Sequence, residues 1–587
     1  MRLSSRTALF GFLGAGVAAL GGLAPTACFP AAGEGVDPPA FDFYFPVGFA
    51  VSRGGNVLYA VNSDFDLQWN GGTMQSLDLH AIRRDAIRAI ADPNDPNLPL
   101  AQAPDRDASC PNGPPVITNL YDAGVEPGLA CAPPTNASAY MRDSAVIGAF
   151  ATEVQLSLFQ NPDRAGSSRL FTPVRGDASL SWADVVDDDP SAPPKASDTV
   201  ATYAPFKLDC GTRDAHGRCD AFHRTGNNAG QMGDTRFLTM PGEPFGMAQS
   251  QDGSAVVITH QADVLTSLFS TFTPGNAVGS IADMPAIQFV LSGVPTGGIG
   301  VAAIPHDPLA YPECFPDATT DACKAAVPRP AFLESSRAAA QVALIRYYSD
   351  IGASSSSLFR PFITEDAVFN LNTQAGTTDF ARGIAIDPTP RIRCMTTIKV
   401  PTSDPAYGPA AEACARLPAR VFVASRGPAS LIIGKVGQSP TVGGSWDADY
   451  ATFDKTVVLD AGPSALHLAP IIDSHGNFAM RVFIVCFDSS EILDYDPDND
   501  RIEARIHVGL GPFALTFDPF DFDAAARGDP APAPAADADI NLRPYRFAYV
   551  GSFTDSYMQV LDLDLSRPDT WGTIVYTVGV PTPPKGS

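Results

Sequence analysis

The sequence predicts an all-β chain, a seven-bladed β-propeller of four-stranded antiparallel blades with long disulfide-bearing loop insertions. Three observations predict it. A strand–turn–strand unit recurs seven times, a small-residue strand recurs at the head of most units, and turn residues are spread along the whole chain. The 54 Pro and 50 Gly among 587 residues are dispersed, which marks frequent turns rather than one disordered block. A length that would ordinarily suggest several domains suits one propeller, because a ring of small sheets absorbs several hundred residues. Hydrophobic residues make up 45% of the chain, enough for a large core.

The seven units lie at 58–79, 169–186, 255–270, 331–348, 420–437, 481–496 and 546–564. Each is an apolar run, a short polar turn and a second apolar run, rich in the β-branched and aromatic residues that strands prefer. Six further strands share an opening: 45–55, 242–253, 294–308, 380–388, 462–470 and 511–519. In each, Gly or Pro starts the run, small and apolar residues alternate, and Asp, Pro or Gly ends it. Small residues suit strands that line a crowded central axis. Trailing strands at 501–509 and 572–579 complete units of four. Four antiparallel strands in series are the pattern of a propeller blade.

The stretch from Gly511 to Gly579 carries this pattern in full, with Tyr549-Val550 in its second strand and Asp562 at the end of its third. It resembles the YVTN-type propeller repeat, related in architecture to WD40. Tyr59-Ala60-Val61-Asn62 with Asp78 match in the first unit, and the resemblance spans roughly residues 41–580. It implies the fold and is nearly silent on function, because propellers host binding, scaffolding and enzymatic roles alike.

Residues 1–27 read as a leader. Arg2 and Arg6 precede an uncharged Gly/Ala/Leu-rich stretch from Thr7 to Ala27, the pattern of a secretory signal. Thr26, Ala27 and Cys28 resemble a bacterial lipobox, from which Pro25 departs. The resemblance implies a lipid on Cys28 and a place in the cell envelope, anchored to a membrane on its periplasmic or outer side. Soluble export and an uncleaved anchor are the alternatives. The domain reading is then a leader at 1–27, a linker at 28–40, the propeller at 41–580 and a tail at 581–587.

Cysteine usage agrees with export. With Cys28 set aside, eight cysteines form four local pairs: Cys110 with Cys131, Cys210 with Cys219, Cys314 with Cys323, and Cys394 with Cys414. All four pairs fall in segments that read as loops. Disulfides fit an oxidising compartment, and local pairing is one of many connectivities that eight cysteines allow. Cys486 is left over inside an apolar strand, as a buried thiol.

The net charge of −25 becomes −27 once Arg2 and Arg6 leave with the leader. Such a surface repels phosphate backbones, so nucleic acid is not expected as a partner. HExxH, GxSxG, Walker A and CxxCH motifs are absent from the sequence. No cofactor is expected. Asp494, Asp496, Asp498 and Asp500 alternate like a calcium loop, but the Gly and Glu that such a loop needs do not follow. An Asp-rich hairpin turn is the plainer reading.

Aligning the hairpins on the end of their first strand brings Asn62, Arg175, His260, Arg337 and Arg426, with Phe487 and Ser552 from the last two units, to one rim. Three arginines in an acidic protein could make a pocket for a carboxylate or phosphate. The competing expectation is that each pairs with an acid nearby, such as Asp177 or Glu334. Two functions follow. The first is a monomeric envelope module that binds a protein, peptide or glycan at a rim of the disc and meets the membrane only through its lipid. The second is a propeller hydrolase, lactonase-like or metal-dependent, with its site at the channel mouth. The eight histidines are dispersed, which favours binding.

Overall fold

The computed structural model describes residues 35–92, 95–99, 134–157, 165–231, 234, 236–271, 284–314, 317, 320–348, 361–371, 379–439, 448–460, 462–472, 478–519, 546–565 and 567–580. The leader, Cys28, the Cys110 and Cys131 pair and the tail at 581–587 lie outside them. The described residues form seven four-stranded antiparallel sheets, one per predicted unit. Blade one is Pro46–Val51, Val57–Asn62, Thr73–Asp78 and Met141–Val146. Blade two is Gln155–Leu156, Ser167–Val174, Ser179–Val186 and Arg224–Thr225. Blade three is Pro244–Gln249, Ala255–His260, Leu265–Ser270 and Ala286–Ser292. Blade four is Gly298–Ala303, Ala331–Ser336, Gln341–Tyr348 and Phe362–Asn370. Blade five is Asp379–Asp387, Ala419–Gly427, Ala429–Ser439 and Ala448–Val458. Blade six is Pro463–Ile472, Phe478–Cys486, Glu491–Asp496 and Arg501–His507. Blade seven is Pro512–Phe517, Phe547–Ser552, Tyr557–Asp562 and Ile574–Val578.

The second strands read as continuous apolar runs because both faces of a blade are covered by its neighbours. Val57–Asn62, Phe478–Cys486 and Phe547–Ser552 are buried at every position. Between blades seven and one, Leu58, Leu77, Tyr549 and Met558 share one apolar cluster. The innermost strand of blade two is only two residues long. That shortness explains why the second unit shows no small-residue opening in the sequence.

Ring closure differs from simple strand exchange. All four strands of blade seven come from the C-terminal end of the chain. The join is made by an insertion of blade one, helix Leu79–Ala91, which the sequence reading passed over. Asp78 caps it, its side chain accepting the Ala81 N–H at 2.9 Å. Its apolar side, Ile82, Ala86 and Ala89, packs into the blade-seven cluster. Arg83 crosses to Asp518. Thr135 adds a parallel bridge to Val578.

Cys210–Cys219, Cys314–Cys323 and Cys394–Cys414 are disulfides, and Cys486 is a free buried thiol. The segments holding two of these bridges are not plain loops. Cys394–Cys414 ties helix Thr389–Thr396 to helix Tyr407–Ala415, and Cys323 sits in helix Asp321–Ala326. These short helices hold their place through the bridges and through packing around Ala310 and Tyr311, to which the helices contribute Cys323 and Ala415. Their weak amphipathic patterns hid them in the sequence.

Glu334 is a polar residue inside this packing. It is 2% exposed, and its Oε2 accepts from Thr266 Oγ1 of blade three at 2.7 Å. Burial pushes its carboxyl up to about 8, with Glu365 adding to the rise and the Thr266 bond opposing it. A carboxyl raised in the folded state contributes stability that is complete below its ordinary value of 4.5 and is lost as pH climbs through about 8. Glu334→Gln should therefore flatten the pH profile. Relative to the variant, the wild type should lose on the order of 3 kcal/mol between pH 5 and pH 8. Guanidinium midpoints at both pH values measure this, and parallel profiles would contradict it.

Candidate functional site

The innermost strands all begin the same way. A residue with left-handed backbone stands at the head of each, just before the strand or its first bridge, or in blade five at the strand's second residue: Phe45 (φ 49°), Phe150 (59°), Glu243 (55°), Gly297 (80°), Phe380 (80°), Gly462 (76°) and Gly511 (61°). In six blades its carbonyl accepts the N–H just beyond the second strand, from Ser63, Arg175, Gln261, Arg337, Phe487 and Phe553, at 2.8–3.1 Å. This turn drops the chain from the outer strand of one blade to the axis of the next. Glycine adopts it freely, whereas a side chain costs about 1–2 kcal/mol. Three of the seven positions nevertheless hold phenylalanine.

A β-bulge follows at once. Register shifts fall between Pro46 and Gly48, Gly298 and Val301, Ala381 and Ile384, Pro463 and Ala465, and Pro512 and Ala514. In blade three the shift lies opposite Ile258–His260. Blade two has the same extra residue between the Ala151–Val174 bridge and the Gln155–Phe171 pair. A bulge re-aims a side chain. Here the bulged residues Val47, Phe245, Ile299, Arg382, Ser464 and Phe513 all line one axial cavity of about 280 Å³.

Glycines let the strands close around this cavity. A Cβ on Gly246 would overlap the Ile299 carbonyl oxygen, one on Gly300 the Arg382 carbonyl oxygen, and one on Gly48 the Val154 nitrogen. Each contact joins one blade to the next, which is the physical reason for the small-residue openings seen in the sequence.

Three ionisable side chains line the cavity: Glu153, Arg382 and His467. Burial pushes the Glu153 carboxyl up to about 8, against hydrogen bonds from the Met247 backbone and the Gln155 side chain. Burial holds His467 down to about 4. Arg382 is lowered to about 10, first by burial and then by repulsion from Arg426 and Arg337, with Asp488 opposing. At neutral pH Glu153 is largely protonated, His467 is neutral and Arg382 is cationic. The cavity of this acidic protein is thus locally positive.

The sequence-predicted rim residues divide into two groups. Asn62 and His260 are fully buried and turned to structural bonding. Asn62 Nδ2 donates to Thr73 Oγ1 and Gln75 Oε1, and its Oδ1 accepts the Tyr44 N–H. The two His260 ring nitrogens are bonded to Gly242 O and Ser267 Oγ. Neither presents a polar atom at the mouth. Arg175 pairs with Glu243 of the next blade, and Arg426 with Asp488. Arg337 and Arg426 each lie close enough to Arg382 to repel its charge. The acids named from the sequence are used elsewhere. Asp177 accepts from Ser179, and Glu334 from Thr266. Asp494 and Asp496 face Arg481, Asp498 faces Arg393 and Arg420, and Asp500 faces Lys455 and Tyr495. Those four carboxylates line a strand and a turn and share no common centre.

On the side of blades six, seven, one and two, the mouth is aromatic. Ring centroids lie 5.0 Å apart for Phe45–Phe553, 5.3 Å for Phe65–Phe553, and 5.8 Å for both Phe513–Phe553 and Phe65–Phe150. Phe487 joins Phe553 at 6.1 Å, and the Arg175 guanidinium stands 5.8 Å over Phe150. Phe65 at the centre of this shelf is 51% exposed. Sequence reasoning missed Glu153, Arg382, His467 and all of this shelf but Phe487. Aligning the openings on their small residue would have found Arg382, which stands where other blades carry Val47, Phe245, Ile299 and Phe513.

No family model matches the chain, and no curated protein matches it. Solved structures do resemble it. A 6-phosphogluconolactonase-like protein from Bacteroides fragilis is 10% identical, with 80% of this chain and 86% of that chain covered and a TM-score of 0.35. A periplasmic gluconolactonase from Pseudomonas aeruginosa is 11% identical, over 79% and 86%, with a TM-score of 0.35. Sqt1 from Chaetomium thermophilum, solved with the N-terminus of a ribosomal protein, is 11% identical, over 93% and 91%, with a TM-score of 0.37. At such identities these chains resemble this one as propellers and in nothing finer.

Proposed function

We propose that this chain is a propeller binding module of the cell envelope, exported by its leader, held by a lipid on Cys28, and receiving a protein, peptide or glycan partner at the hairpin-turn face of the disc. One observation carries the reading. The chain accepts left-handed strain at Phe45 and Phe150, in places where Gly297, Gly462 and Gly511 need none, and both rings pack against exposed Phe65. Strain held beside an exposed ring on an aromatic shelf is a mark of function.

The hydrolase reading has less support. Both hydroxyls that line the cavity donate to backbone carbonyls, Thr152 to Phe245 and Ser464 to Val485. Neither is bonded to a base, so neither is activated as a nucleophile.

Phe65→Ser should cost about 1–2 kcal/mol and leave the protein folded, because the ring is half exposed but packs against Phe45, Phe150 and Phe553. It should weaken partner binding at least about tenfold, the loss of an interface anchor. Peptide and glycan arrays probed with purified protein supply the partner, and titration calorimetry compares wild type, Phe65→Ser and Leu417→Ser. Leu417 is 38% exposed on the opposite face. Loss of binding in Leu417→Ser with none in Phe65→Ser would overturn the assignment.

A further inference from the structure

Resting on that reading of the mouth, we propose that its axial end is an oxyanion subsite centred on Arg382, which takes a carboxylate or phosphate group carried on a small apolar or aromatic skeleton. The bulge between Ala381 and Ile384 places Arg382 in the wall of the cavity. Its Nε is buried and has no hydrogen-bond partner among the described residues. A buried donor left unmade is costly, and a bound oxyanion would satisfy it. A guanidinium offers a planar carboxylate or phosphate two parallel donors.

The surroundings choose the charge and the skeleton. Arg337 and Arg426 both act on Arg382, and only Asp488 opposes them. Asp488 is engaged by Arg426. Glu153, the carboxyl in the same cavity, is held largely protonated by burial and does not cancel the field. Val47, Ile299 and Phe513 line the rest, and Phe513 continues into the Phe553 shelf. A cavity of about 280 Å³ sits at the small end of ligand sites. It suits a one-ring acid or a side-chain-sized terminus, and the overall charge of −25 disfavours a polyanion.

The test is titration calorimetry of the purified protein with benzoate, phenyl phosphate, inorganic phosphate and neutral benzamide. Saturable binding of benzoate or phenyl phosphate is expected, with benzamide and inorganic phosphate each weaker by at least about tenfold. Arg382→Met should weaken the bound acid by at least about thirtyfold, and Arg382→Lys by less. Arg337→Met should weaken it by a few-fold. Because Arg382 Nε lacks a partner, the Met variant should melt no lower than wild type, which separates lost binding from lost folding. Equal binding by Arg382→Met, equal binding of benzamide, or no binding of either acid at millimolar concentration would overturn the subsite. Inorganic phosphate binding as well as phenyl phosphate would overturn the apolar skeleton. Two crossed outcomes keep the proposals apart. If an array partner depends on Phe65 and no acid binds, the subsite falls and the binding module stands. If acids bind through Arg382 and no partner depends on Phe65, the subsite stands and the module falls.

Discussion

Replacing Asp518 with alanine is expected to destabilise the ring by about 3–5 kcal/mol, the cost of stranding a buried charge. Arg83 and Asp518 are 2.9 Å apart with side chains 1% and 0% exposed. Asp518 also accepts the Tyr549 hydroxyl at 2.6 Å and the Phe547 N–H at 3.2 Å. Burial pulls the Arg83 guanidinium down, but Asp518 and Tyr549 outweigh it, and the group stays charged. Removing the carboxylate therefore leaves a cation, a phenol and an amide without their shared acceptor. The pair joins the helix of blade one to the end of the innermost strand of blade seven, so the loss falls on ring closure. The guanidinium unfolding midpoint should drop, and amide exchange should rise first in blades one and seven. The double variant Arg83→Met, Asp518→Leu should recover much of the loss, because an apolar pair removes the stranded charge. A midpoint unchanged in Asp518→Ala would show that the ring closes without this clasp.

Gly246→Val is expected to cost at least about 3 kcal/mol, at the upper end of overpacking effects. Its Cβ would overlap the carbonyl oxygen of Ile299 and press on Thr259 Oγ1. The first of these is backbone of the next blade, so no rotamer change relieves it. The Gly246 N–H also donates to Thr259 Oγ1 at 2.9 Å, which fixes the strand in place. Relief requires blades three and four to separate at the axis. Gly242→Ala, where an added Cβ meets nothing within 4 Å, is the control and should be near neutral. Thermal melts of both variants decide the matter. A Gly246→Val protein as stable as wild type would mean that the blades are not in close contact at the axis.

Much of the fold was legible because it is local. A blade hairpin is two apolar runs and a turn within about twenty residues, and its pattern needs no knowledge of the rest of the chain. The three described cysteine pairs are local too, with sequence separations of 9, 9 and 20. Where local signal was thin, the reading lost detail. The innermost strand of blade two is a two-residue strand, and the helices at 389–396 and 407–415 depend on a disulfide and on neighbours. The rim was only half legible. Strand ends located Arg175, Arg337 and Arg426 at one face, but could not foresee that Arg175 would meet Glu243 from the following blade.

The sequence by itself determined seven antiparallel blades, the hairpins at their centres and the small residues at their axis, because strand period and turn chemistry act between near neighbours. Only the tertiary structure decided which side chains face the channel and what closes the ring. One extra residue in each innermost strand turns Arg382 into the cavity, and a one-residue register shift is invisible to a period-two pattern. Arg83 and Asp518 stand 435 residues apart. Nothing local links them, and only burial, which makes a lone charge costly, brings the two together.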